Sequence, residues 1–287
     1  MIADALLKAT PILFCALAFL LARKGGVVNV GAEGQFLAGA LAATMWATRV
    51  PGPALLTSIG SLAAGAAAGA AWAALPAWLR EKRGVLDALS TILLNFVAAG
   101  LLAVAVHSFA QEQSRRFPQS DSVSMAARLP IVWPGTRLHA GFAIALGAAI
   151  GIGLFLRRTS AGFRLRATGA GPEAARFAGI RTTRVRVAAF LAAGAVAGLG
   201  GAAELLGTTG RLFESFSAGA GYVGLAAAVV GGMSAEGAVA ASIAFGALFS
   251  AGALLQRRTG VSSVLVLAVE GAVLLIAAGL PRRRARA

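Results

Sequence analysis

Two phrases of one hydrophobic chain carry a carboxylate where a membrane-like run would ordinarily have none. The first, "KGGVVNVGAEGQFLAGALAA" (24–43), holds Asn29, Glu33 and Gln35 among small and apolar residues. The second, "VGGMSAEGAVAASIAFGALFS" (230–250), repeats a Gly-Gly pair and an Ala-Glu-Gly triplet around Glu236. Asn95 and Glu270 lie deep in other apolar runs. A carboxyl or amide at membrane depth is costly, so it faces the interior of a helix bundle and marks a path or a helix-to-helix tie. Asn29, Glu33, Gln35, Asn95, Glu236 and Glu270 are therefore the candidates for lining a substrate path or supporting its breaks. Simpler roles compete at some positions. Glu236 fits the first turn of a helix capped by Ser234, Asp87 fits a cap on a helix starting near Val85, and Glu204 fits the external end of a span.

Other chemistries find no constellation. His107 and His139 are isolated, so a metal site has no second ligand at a useful spacing. Cys15, the single cysteine, cannot form an intrachain disulfide and reads as a small packing residue. None of Lys8, Lys24 and Lys82 ends a phosphate-binding "GxxxxGK[ST]" loop, so the chain does not hydrolyse ATP itself. No Ser-His, His-Glu-x-x-His or paired-Asp arrangement appears, which ranks an intramembrane enzyme last.

The elements that position the polar residues follow from composition. Of 287 residues, 58% are hydrophobic and 13% charged, with a mean hydropathy of +0.79. A soluble domain has roughly a quarter of its residues charged and cannot hide this much apolar surface. Apolar runs fall at 5–22, 35–48, 55–79, 85–109, 140–156, 187–206, 222–232, 237–255 and 262–280, many near the length of about 20 residues that crosses a bilayer. The fold class is all-α: a polytopic helical membrane protein of eight to nine spans in one transmembrane domain, 1–287. The 5–22 run continues past the small residues Ala16-Leu17-Ala18, so it reads as a first span and not a cleaved leader. With 37 glycines and many alanines, the helices pack closely.

Charge sets the sides. The connection 157–186 has eight basic residues against the lone acid Glu173, whereas 110–139 has four, offset by Glu112 and Asp121. The positive-inside rule puts 157–186 in the cytoplasm and 110–139 outside, with the basic tail 281–287 inside and the N-terminus external. Arg257 and Arg258 fall outside against the trend. The net charge of +15 thus sets topology and binds lipid; it does not indicate nucleic acid.

The two Ala-Glu-Gly phrases are each followed by a basic-Gly-Val entry into a further span, "EKRGV" and "QRRTGV", which favours an internal duplication. Repeats flanking interrupted helices point to a translocation path. The run 222–232 would make a helix roughly 16 Å long, half a hydrocarbon core, with Gly231-Gly232 as its break. In the cytoplasmic connection, Gly169 and Gly171-Pro172 read as a turn. After it, "PEAARFAG" reads as a short helix opened by Pro172, with Glu173 in its first turn and Gly179 at its end.

These phrases, with "LPIVWPGTRLHAG" and "GRLFESFSAGAGYVGLAAAVV", occur in one order over nearly the whole chain. In that order they resemble the permease subunits of ATP-binding-cassette importers for nucleosides and simple sugars, within the group that includes ribose and branched-chain amino-acid permeases. The resemblance implies a bacterial inner-membrane protein that forms a path with a second, related permease. It implies a cytoplasmic ATPase that holds ATP and Mg, and an extracytoplasmic substrate-binding lipoprotein; this chain itself needs no cofactor. It also implies that Pro172, Glu173, Ala174, Ala175, Arg176 and Gly179 form the helix that couples to the ATPase. Two positions depart from the usual pattern: Gly171-Pro172-Glu173-Ala174 replaces a common Asn-Pro-Glu-Ala, and Glu270-Gly271 replaces an amide-Gly pair. An ion-coupled carrier or channel using Glu33, Glu236 and Glu270 is the alternative.

Overall fold

The computed structural model describes residues 1–50, 52–260, 262, 268, 271 and 272. Glu270, most of the 262–280 run and the 281–287 tail lie outside the described residues. In chain order the helices are α1 (Ile2–Lys24), α2 (Ala32–Arg49), α3 (Ala54–Arg83), α4 (Asp87–His107) and α5 (Gly141–Arg158). They continue with α6 (Ser160–Ala170), α7 (Pro172–Phe177), α8 (Thr182–Glu204), α9 (Ala220–Val230) and α10 (Ala235–Thr259). Among the described residues six helices are long and apolar enough to cross a membrane: α1, α3, α4, α5, α8 with the turn that continues it to Thr209, and α10.

Helix α1 is the axis of the molecule. Its sequence is apolar on every side, and a helix of that kind belongs in the interior. From Ile12 to Ala22 every side chain is buried, and α8, α9 and α10 pack around it. By contrast α4 exposes Leu89, Leu93, Phe96, Val97 and Val104.

Close packing depends on glycine. The pairs Gly65/Gly69 on α3 and Gly194/Gly198 on α8 have the four-residue spacing that lets two helix backbones touch. A β-carbon at Gly69 would overlap the Gly194 carbonyl oxygen, and one at Gly198 would overlap that of Gly65. Gly39, against Gly198, and Gly201, against the Phe36 carbonyl, bring α2 equally close to α8. The small residues thus place α2, α3 and α8 in one tight layer beside α1.

The expected breaks are present. After α1 the chain turns at Gly26, whose φ of +79° suits glycine. It then runs without helix through 27–30 before α2 begins. After α9 it turns at Gly232 and Met233, and α10 starts with Ser234, whose hydroxyl accepts the Gly237 N–H at 3.1 Å. Two expectations need correction. Gly169 is not in a turn: α6 runs through it and ends at Ala170, because Thr159 caps that helix from the other end by accepting the Gly162 N–H at 2.9 Å. Asp87 does not cap α4; it pairs with Arg80 at the end of α3 and accepts the Val28 N–H at 3.1 Å.

Candidate functional site

The first break is a polar knot. Asn29 and Gln35 exchange side-chain hydrogen bonds at 2.9 and 3.0 Å, and the Asn29 carbonyl also takes the Gly31 N–H at 3.0 Å. Asn95, from α4, reaches the same place. Its carbonyl accepts the Gly34 N–H at 2.8 Å, while its amide donates to the Val30 carbonyl at 3.0 Å and the Tyr222 hydroxyl at 3.2 Å. Lipid offers nothing to backbone left open at a break, so these side chains supply the partners. Asn29, Gln35 and Asn95 are buried and spend their capacity on the protein itself.

Glu33 joins two helix starts. It sits in the first turn of α2, and its carboxylate accepts the Gly221 N–H of α9 at 2.6 Å and the Ser217 hydroxyl. Free N–H groups and the helix dipole at the start of α9 favour an anion there. A β-carbon at Gly221 would strike the Glu33 backbone, so glycine permits the approach. The start of α9 is therefore held against the side of α1, with Gly224 packed on Cys15. Its 11 residues run from there toward the basic end of the bundle.

A cavity of about 610 Å³ lies beside this junction. Phe36 of α2, Phe216 and Ser217 of the segment before α9, and Glu204 and Thr208 at the end of α8 line it, with Lys8 of α1 and Phe249 of α10 opposite. Phe36 and Phe216 rings lie 6.0 Å apart, and Phe213 meets Phe216 edge-on at 5.8 Å. Pro11 of α1 also lines the cavity; with no N–H it leaves the Leu7 carbonyl, on another lining residue, without its helical donor. Where α8 ends, residues Leu205–Thr209 widen into a π-turn, a device that often accompanies function. The Thr208 hydroxyl is 2.9 Å from Glu204 Oε1, while Glu204 Oε2 is buried and has no partner among the described residues.

Of the six predicted path residues, then, Asn29, Glu33, Gln35 and Asn95 gather at the α1–α2 break and the α9 start. Glu236 stands elsewhere. It is in the first turn of α10, more than half exposed, and 2.7 Å from Arg157 at the end of α5. Glu204, Phe36 and Phe216 are what sequence reading missed. Glu204 was placed at a span end, and nothing in the sequence announces that its helix would widen there.

At the basic end, α7 stands out from the bundle. Pro172, Glu173, Ala174, Arg176 and Gly179 are exposed, Ala175 is buried against the protein, and Phe177 is 92% exposed. No side chain caps its start, since Gly171 stands there. Its end closes with the Ile180 N–H on the Ala175 carbonyl and Gly179 at φ +80°. The preceding α6 rests on the first break: Gly169 touches the Lys24 carbonyl and Gly26. The following α8 is held to α3 by Arg186, which forks onto Glu81 at 2.7 and 3.1 Å.

The opposite end carries the 110–139 connection. Ser114, Gln119, Arg211 and the Phe117 N–H all donate to Glu112, and these bonds hold its carboxyl down at about 2. His139 is fully buried beside Gly141 and Gly207, and burial lowers its pKa to about 4. Among the described residues no three His, Cys, Asp or Glu side chains gather as a metal site would require.

Residues 1–278 match the family described as branched-chain amino acid transport system / permease component. A glucose ABC transporter permease protein, TsgB13 of Haloferax volcanii, is 36% identical over 282 residues, covering 95% of this chain and 74% of its own. The guanosine ABC transporter permease protein NupP of Bacillus subtilis is 30% identical over 280 residues, covering 96% and 80%. The nucleoside ABC transporter permease protein NupB of Lactococcus lactis is 29% identical over 287 residues, covering 96% and 79%. No solved structure matches the chain.

Proposed function

This chain belongs to the permease-component family of branched-chain amino acid transport systems, and from that premise we propose that it carries a sugar or a nucleoside past the cavity beside Glu204 and Phe36. It is a multi-pass membrane permease subunit of an ATP-binding-cassette importer. In the proposed assembly a second, related permease completes the path. A cytoplasmic ATPase holding ATP and Mg supplies energy at α7, and an extracytoplasmic binding lipoprotein delivers solute at the 110–139 end.

The observation that carries this reading is the placement of α7. A short helix presents Phe177 almost wholly to the surroundings, and its two flanking helices are each fixed to the bundle. A push on α7 passes through α6 to Gly25-Gly26, and from there along the non-helical segment to α2 and Glu33. Glu33 holds the start of α9 beside the cavity. An ion-coupled carrier has no use for such a lever.

Replacing Phe177 with Ala and Ala174 with Asp tests it. Both side chains are exposed, so the protein should still insert and keep its stability, yet fail to copurify with the ATPase. Undiminished copurification and uptake would remove α7 as the coupling element. A cysteine at Ala174 should also stay closed to an impermeant thiol reagent in intact cells, whereas labelling there would reverse the orientation.

A further inference from the structure

The geometry points to Glu204 as the specificity-determining residue of the cavity, an acceptor that reads hydroxyl groups on a polyhydroxylated solute. This rests on the reading of the chain as an importer's permease and names what one of its side chains recognises. Three observations meet at Glu204. One carboxyl oxygen is fixed by Thr208 at 2.9 Å, which orients the group, and the other is buried with no partner among the described residues. A buried acceptor of this kind is expensive to leave unmade, so a solute hydroxyl is its natural complement once the side chain turns toward the cavity. Glu204, the last residue of α8, and Thr208, in the π-turn that follows it, both line the cavity.

Phe36 and Phe216 offer ring faces, which suit the C–H face of a sugar ring or the plane of a base. Ser217 gives its proton to Glu33 and keeps its lone pairs for a donor from the solute. Donor hydroxyls and a flat apolar face describe both a free hexose and the ribose end of a nucleoside. A volume of about 610 Å³ accommodates either.

The test uses the complete transporter in proteoliposomes, with its own ATPase and binding protein, at saturating binding protein so that capture does not limit turnover. Glucose, guanosine and their single-deoxy analogues are the probes. The wild type should turn over one hydroxylated probe about tenfold faster than its deoxy analogue, the scale of one hydrogen bond. In Glu204→Met, of similar length and without an acceptor, that ratio should fall to near one while copurification with the ATPase is unchanged. A hexose-specific or a nucleoside-specific ratio identifies the source of the hydroxyls. If the wild type discriminates and the ratio survives in Glu204→Met, the assignment of Glu204 is overturned; should that variant not assemble, Glu204→Gln decides by the same ratio, with a partial fall expected. Wild-type transport of glucose or guanosine with no deoxy discrimination also overturns it. A transporter that moves neither probe defeats the proposed substrate class itself, which is a separate result.

Discussion

Replacing Asn95 with Leu should loosen the α1–α2 break more than its single position in α4 implies. The side chain makes three hydrogen bonds to other elements: Gly34 N–H at 2.8 Å, the Val30 carbonyl at 3.0 Å and the Tyr222 hydroxyl at 3.2 Å. Interhelical hydrogen bonds in membranes average only about 0.6 kcal/mol, with a maximum near 1.7 kcal/mol, because the unfolded chain finds other partners. Three average bonds give about 2 kcal/mol. The Gly34 and Val30 groups are backbone at a break, however, and a buried group left unsatisfied costs about 1–3 kcal/mol. The expected loss is therefore about 2–4 kcal/mol, or roughly 30-fold or more in the unfolding equilibrium. Unfolding in mixed micelles titrated with a denaturing detergent measures it. Tyr222→Phe removes only one of the three bonds and should cost about 0.6 kcal/mol. Asn95→Asp keeps the acceptor for Gly34 and should fall between them. A loss below about 0.5 kcal/mol for Asn95→Leu would refute the idea that these polar groups hold the break, since Leu loses all three bonds.

Two further perturbations follow from the packing and the charges. Gly198→Leu places a side chain against backbone of α3 that cannot yield, so it should cost about 3 kcal/mol or more and abolish assembly, while Gly100→Ala, where a β-carbon meets nothing within 4 Å, should be silent in the same detergent titration. Acid should open the 110–139 end in two stages. His139 stays neutral in the fold, with its pKa lowered to about 4, so the unfolded chain takes the proton first; stability declines as pH falls from about 6.5 to about 4, by about 3 kcal/mol at most. Glu112, held at about 2, adds stability above about 4.5 that is lost as pH falls toward 2. Hydrogen exchange of this connection at pH 7, 5 and 3 checks both, and equal protection at all three would contradict them.

Much of the fold was legible because its signals are local. Apolar length marks the spans, Gly-Gly marks both breaks, and Ser234 and Pro172 mark helix starts by their own chemistry. Asn29, Glu33, Gln35 and Asn95 were legible only as members of a wider set of six with Glu236 and Glu270, because cost at membrane depth marks each polar residue without saying which ones meet. Their partners were not, since the Gly34–Asn95 and Glu33–Gly221 bonds join residues far apart in sequence. Asp87 looked like a cap for the same reason: an acid near a helix start fits the local rule, and only the fold shows Arg80 beside it. Glu204 stayed hidden because a π-turn has no reliable residue signature. The α6 helix was missed because glycines at 169 and 171 read as a turn, whereas Gly169 serves a close approach to the Lys24 carbonyl.

The repeated Ala-Glu-Gly phrase ends in two different environments, and the length of the link before it explains why. Between Gly26 and Ala32 the chain has residues 27–31, which at no more than about 3.5 Å each carry it at most about 17 Å back into the bundle. Between Gly232 and Ala235 it has only Met233 and Ser234, so α10 starts close to its turn. Glu33 is thereby delivered into the bundle, where the start of α9 is the available donor. Glu236 remains at the basic end and finds Arg157, with both side chains more than half exposed. An ion pair so exposed contributes about 0–1 kcal/mol, too little to hold a helix but easily broken and remade. The same first turn therefore serves once as a fixed joint beside the cavity and once as a labile contact near the proposed coupling surface. A transporter that must move its basic end against a steady cavity wall needs one of each.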